Sequence, residues 1–452
     1  MTPIALEQCL QKMQVAGISQ AAIDNFSHYW RLCADGATGL IPEASIRPLL
    51  DPPQLDQVQV SDADARAALQ QTVVIKLNGG LGTSMGLDRA KTLLTVRDGL
   101  TFLDLIVRQV QHARTEHDAR LPLVFMNSFR TRDDTIAHLT RYPGLAVDGL
   151  PLDFLQSAEP KILADGLRPV SWPADPSLEW CPPGHGDLYP ALWGTGLLDA
   201  LVEAGFRYAT VANGDNLGAA PNATLAGWFA ASGAPYAAEV CPRTANDRKG
   251  GHLAVRISDG QLILRDTAQT APEEMDFFTD EHRHPFFHAN NLWLDLVQVR
   301  ETLRARNGVL GLPLIRNDKT VDPGDPDSPK VIQLESAMGA AIEVFHCATA
   351  IAVGRDRFLP VKTTNELMLL RSDVFDLGAD GRLHSQVERI PEIDLDGTHY
   401  KLIDDFDALV TVAPSLRRAE RLRVRGPWRF DAPAAVVGDV DLADPGAPRS
   451  YR

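Results

Sequence analysis

Lys76-Leu77-Asn78-Gly79-Gly80-Leu81-Gly82-Thr83-Ser84-Met85-Gly86 sets four glycines within eight residues, directly after the apolar run Val73-Val74-Ile75. Glycine lets a backbone approach a ligand closely and adopt positive φ, so successive N–H groups can converge on an anion. No Gly-Lys-[Ser/Thr] closes the loop, and Met85 stands where a dinucleotide fingerprint needs its third glycine. A tight turn after a strand would use the same glycines. Lys91 can add a positive charge to a phosphate held there, although a lone lysine more often sits solvated at the surface. In Cys181-Pro182-Pro183-Gly184-His185-Gly186-Asp187, two prolines stiffen the approach and two glycines free the backbone around His185, a donor to substrate or an exposed loop histidine. Asn213-Gly214-Asp215-Asn216 offers a carboxylate flanked by amides. That set suits a hard cation sharing phosphate oxygens, or simply a capped turn. Phe287-His288-Ala289-Asn290-Asn291-Leu292-Trp293 holds paired amides fit for sugar hydroxyls, and Arg357-Phe358-Leu359-Pro360-Val361-Lys362 presents a lysine after a proline-set stretch.

These groups need a scaffold, and the hydrophobic pattern supplies one. Val73 to Leu77, Leu121 to Met126 and Tyr208 to Ala212 read as apolar strands ending in polar, turn-prone residues. Thr101-Phe102-Leu103-Asp104 reads as a capping box opening a helix through Ile106, Val107 and Val110. Strands alternating with helices predict an α/β fold with a mostly parallel sheet flanked by helices, and ligands in such sheets sit beyond the carboxyl ends of the strands. Residues 1 to about 50 carry apolar positions at helical spacing (Leu6, Cys9, Leu10, Met13, then Ile23, Phe26 and Trp30) and read as a helical packing element. Val255 to Ile257 and Leu262 to Leu264 flank Ser258-Asp259-Gly260-Gln261 as a hairpin. The tail repeats every six residues in two series, Val424, Phe430, Val436, Leu442 and Leu422, Trp428, Ala434, Val440. That period fits a short parallel β-helix, and two hairpins would mimic it.

Composition narrows the functional classes. Lys+Arg 44 against Asp+Glu 59 gives a net charge of −15. Nucleic acid and anionic membranes are bound through excess Lys and Arg, so neither is expected as a partner. No apolar stretch approaches the length of a bilayer span, and Glu7 interrupts any early secretory h-region. The 5 cysteines are odd in number and scattered. They suggest neither a disulfide framework nor a zinc site, and a reducing cytoplasm is the expected location.

Taken together and in order, these motifs resemble the eukaryotic-type UTP–glucose-1-phosphate uridylyltransferases, or UDP-glucose pyrophosphorylases. The resemblance spans residues 70 to 440 and also rests on Met126-Asn127-Ser128-Phe129, Gln156-Ser157, Lys249-Gly250-Gly251, Val331-Ile332-Gln333-Leu334-Glu335 and Phe358-Leu359-Pro360-Val361-Lys362. It implies a Rossmann-like sheet of the nucleotide-diphospho-sugar transferase (GT-A-like) kind and a short C-terminal left-handed β-helix. The division implied is a helical segment 1–55, a nucleotidyltransferase domain 56–385 and a β-helix-like domain 386–452. UTP would be held by Leu77, Asn78, Gly79, Gly80, Lys91, Gln156, Gly184, Asn213, Gly214 and Asp215, and glucose 1-phosphate by His185, Ala289, Asn290 and Asn291. Asp215 would bind Mg²⁺, and Lys362 and Lys91 would be the catalytic cations. Self-association through the C-terminal domain is a further implication. The chain departs from the family pattern at Leu87-Asp88-Arg89-Ala90, where a Gly-Pro usually precedes the lysine, and its tail is shorter and less regular. A pyrophosphorylase for other or several sugar 1-phosphates is the nearest alternative, followed by a non-catalytic nucleotide-binding protein and, more remotely, a nicotinamide oxidoreductase.

Overall fold

Val73, Val74 and Ile75 are almost fully buried, and β-branched residues covered on both sides favour an interior strand, here β1 (Thr72–Asn78). The computed structural model describes residues 3–244, 247 and 250–452; Lys249 of the Lys249-Gly250-Gly251 motif lies outside the described residues. β1 belongs to a seven-stranded sheet with β2 (Leu123–Asn127), β3 (Asp153–Leu155), β4 (Tyr208–Asn213), β5 (Tyr236–Pro242), β6 (Phe286–Asp295) and β7 (Thr349–Ala352). The spatial order is β7-β5-β6-β4-β1-β2-β3. Neighbours are parallel except around β6, which runs antiparallel to both β4 and β5. This is the expected mostly parallel α/β sheet, with one reversed strand.

The reversal has a consequence for chemistry. β1, β2 and β4 end together at Asn78, Asn127 and Asn213. Because β6 points the other way, its beginning reaches that same edge, with Leu292 opposite Val211 and Asn291 opposite Glu239. Groups from both ends of the chain's linear order are thereby collected at one rim.

Alternation along each strand divides the core in two. Val74, Phe125 and Trp293 face one cluster, which includes helix α3 (Phe102–His117). Val73, Ile75, Val124 and Val211 face the other, which includes the N-terminal helices α1 (Pro3–Val15) and α2 (Gln20–Ala34). Phe26, Tyr29 and Trp30 are buried there, each such side chain worth roughly 1.5–3 kcal/mol in transfer from water. Trp30 also donates its indole N–H to the Leu167 carbonyl at 3.0 Å. The capping box at Thr101 and Asp104 forms as expected and starts α3.

The helical reading of residues 1 to 50 holds only to Ala34. Asp35-Gly36 stops α2, and Ile46–Pro48 is a strand, antiparallel to His252–Arg256. Gly36, Gly39, Pro42 and Pro48 interrupt further helix formation, so sheet pairing takes over. The expected hairpin joins His252–Arg256 to Leu262–Arg265. In the tail, β8 (Glu392–Leu395), β9 (Ser415–Val424) and β10 (Ala435–Leu442) pair in parallel. Leu422 lies opposite Val440 and Val424 opposite Leu442, a separation of 440 − 422 = 18, three six-residue steps. Parallel coils, and not hairpins, generate the period.

Candidate active site

At the carboxyl rim two pockets of ≈ 300 and ≈ 290 Å³ adjoin, sharing His185, Asn213 and Asp215. The first is walled by Leu77, Asn78, Gly79, Gly80, Lys91, Gln156, Gly184 and Gly214. The second contains Asn290 and Lys362, together with His288, Asp247, Asp266, Phe287 and Phe358.

Each wall has a physical reason for its shape. The glycine loop is not a run of left-handed residues: only Gly86 has positive φ, at 78°. Gly79 serves close approach, since a Cβ there would meet Gln156 Oε1 at 2.3 Å. Asn78 lines the pocket with its side chain already engaged, donating to Asn127 Oδ1 at 2.7 Å and Thr135 Oγ1 at 2.9 Å and accepting from Thr92 at 2.5 Å. Gly184 has φ 76°, and a Cβ would meet the Ser336 carbonyl oxygen at 2.6 Å, so both conformation and space require glycine. Gly186 N–H donates to that carbonyl at 2.8 Å, pinning the His185 loop. Ser157 N–H donates to Asp187 at 2.5 Å, so the same loop also fixes the Gln156-Ser157 step. Burial raises the Asp187 pKa to about 7.

Despite the missing Gly-Pro, Lys91 returns to the glycine loop. Leu81 bridges Ala90, Lys91 N–H donates to the Gly80 carbonyl at 3.2 Å, and buried Leu87 packs over Gly82. The Lys91 ammonium then reaches Asp215 at 2.6 Å, each side chain about one-fifth exposed. No hydrogen bond from a described residue reaches the other Asp215 oxygen, and the described residues include no cluster of three His, Cys, Asp or Glu able to hold a metal. A single carboxylate at the junction of two open pockets fits a hard cation completed by phosphate oxygens and water, and does not fit an all-protein cage.

Lys362 is exposed, just ahead of the capping box in which Thr363 and Glu366 start helix Thr364–Arg371. The loop that carries it is anchored from below. Buried Arg357 donates twice to buried Glu239, at 2.7 and 3.0 Å, and once to the Ala220 carbonyl at 2.6 Å. Burial opposes ionisation of Glu239, but Arg357, Asn291 and Trp293 outweigh it and hold its pKa below the usual value. Asn216, next to Asp215, accepts from Leu359 N–H at 2.8 Å and donates to the Arg357 carbonyl at 3.2 Å. The Asp215 loop and the Lys362 loop are therefore one hydrogen-bonded unit.

Two residues from the sugar-site expectation do not reach the cleft. Asn291 is 1% exposed and donates to Glu239 and the Arg357 carbonyl; Ala289 packs in the core with Trp293. The reason is strand alternation, which the bulge at Asn290 preserves: Asn290 has φ 57°, and the pairing of β5 with β6 jumps from Asn291 to His288, two extra residues that keep Ala289 and Asn291 on the core side. His288 and Asn290 take the cleft side instead, and Asn290 donates to Asn213 Oδ1 at 3.1 Å. His288, Asp187, Arg357 and Glu239 went unassigned by sequence reasoning. For His288 the signal was present, since residues 288 and 290 share a face in any strand.

The fold and cleft define an α/β protein with a two-pocket cleft at the carboxyl rim of a mostly parallel sheet. The chain belongs to the UTP--glucose-1-phosphate uridylyltransferase family, whose sequence model matches residues 23–436. The Solanum tuberosum enzyme of that name is 36% identical over 410 residues, 89% of this chain and 81% of the relative. The Saccharomyces cerevisiae enzyme is 40% identical over 363 residues, 79% and 71% of the two chains. Among solved structures, a mutant UDP-glucose pyrophosphorylase from Leishmania major in complex with UDP-glucose is similar with TM-score 0.91 and 41% identity, covering 100% of this chain and 99% of that one.

Proposed function

We propose that this chain transfers a uridylyl group from UTP to glucose 1-phosphate, giving UDP-glucose and pyrophosphate. One observation carries the reading: two adjoining pockets meet at His185, Asn213 and Asp215, with Lys91 on one side and Lys362 on the other. The nucleotide belongs in the pocket of Gly79, Gly80, Gln156 and Gly184, where Gln156 and the Gly184 backbone read the base. Leu77, Asn78, Asn213 and Gly214 complete that wall, Asn78 through its backbone. The sugar phosphate belongs in the pocket of His185, Asn290 and Lys362.

A sugar-phosphate oxygen attacks the α-phosphorus of UTP in line and pyrophosphate leaves. The attacking phosphate is already ionised, so no general base is needed, and catalysis rests on positioning and charge stabilisation. Lys362 meets charge on the α-phosphate, and Lys91 meets the nucleotide phosphates. Asp215 would hold Mg²⁺, which when bound neutralises phosphate charge. Lys362→Ala should lower kcat by about two orders of magnitude or more, the scale of losing one preorganised donor. A coupled assay with UTP and glucose 1-phosphate, with and without chelator, tests the reading. Pyrophosphate release only when both substrates and Mg²⁺ are present supports it; a near-normal rate in Lys362→Ala removes that lysine from catalysis.

The wider readings follow the same frame. The catalytic unit is residues 56–385 with a GT-A-like sheet, preceded by segment 1–55 and followed by a left-handed β-helix in 386–452. Val437, 55% exposed on β10, supports self-association of that C-terminal coil. Five unpaired cysteines, four of them buried, support a reducing cytoplasmic setting.

A further inference from the structure

Two histidines face the second pocket, and both are locked in one tautomer. Met338 N–H donates to His185 Nδ1 at 2.9 Å, and Asn290 N–H donates to His288 Nδ1 at 3.2 Å. A backbone N–H can only donate, so each Nδ1 carries the lone pair and the proton of the neutral ring sits on Nε2. The His185 ring is exposed on the pocket wall, yet the protein packed around it lowers its pKa. Burial and the neighbouring His185 push His288 down to about 3, so it stays neutral at working pH.

His288 is the unusual member. The residue is 8% exposed and its Nε2 is buried with no partner among the described residues. It packs over Gly339, where a Cβ would meet its Cε1 at 2.7 Å. A buried donor without an acceptor is a cost carried by the fold, and a ligand oxygen in the same pocket removes it. Asp247 and Asp266 stand on the pocket wall, and Lys362 is its one cation among the described lining residues. Those carboxylates repel any anionic group beyond the phosphate that Lys362 takes, whereas a neutral N–H donor beside carboxylate acceptors suits a polyhydroxyl ring.

We infer that His288 is a specificity residue for the hexose, donating from Nε2 to one ring hydroxyl of the sugar 1-phosphate. The inference rests on the proposed function and deepens it at a residue outside the stretch first expected to hold the sugar. A site built to bond a hydroxyl discriminates against the analogue lacking it, because the polar group is then left unpaired.

The test is calorimetric binding of UDP and UDP-glucose to the full chain, wild type, His288→Leu and His288→Gln, with UDP-sugars deoxygenated at positions 2, 3, 4 and 6 as further ligands. Leu removes the donor at similar volume, and Gln places an amide N–H near the original Nε2. His288→Leu should weaken UDP-glucose about tenfold while leaving UDP within twofold, and His288→Gln should recover most of the loss. One deoxy sugar should bind wild type and His288→Leu equally, identifying the hydroxyl. The inference is overturned if His288→Leu retains the wild-type gain of UDP-glucose over UDP, or if all four deoxy ligands show the same wild-type-to-variant ratio as UDP-glucose. Wild type that binds neither UDP nor UDP-glucose would instead overturn the proposed function, a separate outcome.

Discussion

Lys91 and Asp215 neutralise each other across 2.6 Å, so a phosphate ligand must compete for one partner and a cation for the other. Substituting Asp215→Asn removes a negative charge from the cleft while freeing the lysine. Metal-free UTP should then bind several-fold more tightly, since like-charge repulsion falls, while Mg²⁺-dependent turnover drops about 100-fold. Fluorescence titration in chelator and a steady-state assay read the two effects, and unchanged turnover would free Asp215 of any metal role. At this scale Gly79, Gly184, Asp215 and Lys362 were legible from residue type and loop composition, and Gln156 through the family resemblance; all line the paired pockets. Asn291 was misread because adjacent amides look equivalent in a string of letters, and Ala289 was carried along as their neighbour. Strand alternation decides the facing: Ala289 and Asn291 turn to the core, His288 and Asn290 to the cleft.

At the level of elements, the loop bearing Lys362 owes its position to Arg357 and Glu239, not to its own proline. Glu239→Gln leaves a buried guanidinium without its counter-charge, and breaking such a pair costs about 3–5 kcal/mol. Thermal unfolding should fall accordingly. At temperatures where the variant remains folded, kcat should fall more than the KM for UTP, because the Asp215 and Lys362 loops lose their common anchor at Asn216. A variant with lowered Tm but wild-type kcat would separate the pair from catalysis. Strands β1, β2 and β4 were readable from their apolar runs, whereas this anchor was not. Glu239 and Arg357 are 118 residues apart, and only the neighbouring placement of β5 and β7, with Arg357 just beyond the end of β7, explains why their charges meet.

Across the whole molecule, the two core clusters tie the N-terminal helices and the C-terminal coil to opposite faces of one sheet. Helical periodicity before Ala34 and the six-residue repeat after Leu422 announced both. The strand Ile46–Pro48 had no such signal, because three residues are too few for a period to emerge. Acid should expose a long-range dependence. Burial opposes ionisation of Asp104, but hydrogen bonds from Tyr142, Thr101 and His138 prevail and hold its pKa down at about 2, below the ordinary 3.8. Its folded value being depressed, this group contributes about 2 kcal/mol above pH 4 and loses it as pH falls towards 2. Asp104→Asn should unfold at a lower temperature at pH 7, and its Tm should depend less on pH between 4 and 2 than that of wild type. Parallel melting curves for the two proteins across that range would refute the assignment.

The most direct measurement is a crystal structure of the protein with UDP-glucose. Density should run from the Gly79-Gly80 turn and Gln156, past His185 and Asp215, to a hexose beside Asn290 and His288 with Lys362 near the phosphate. Uridine density on any other surface, with this cleft holding only solvent, would contradict the account.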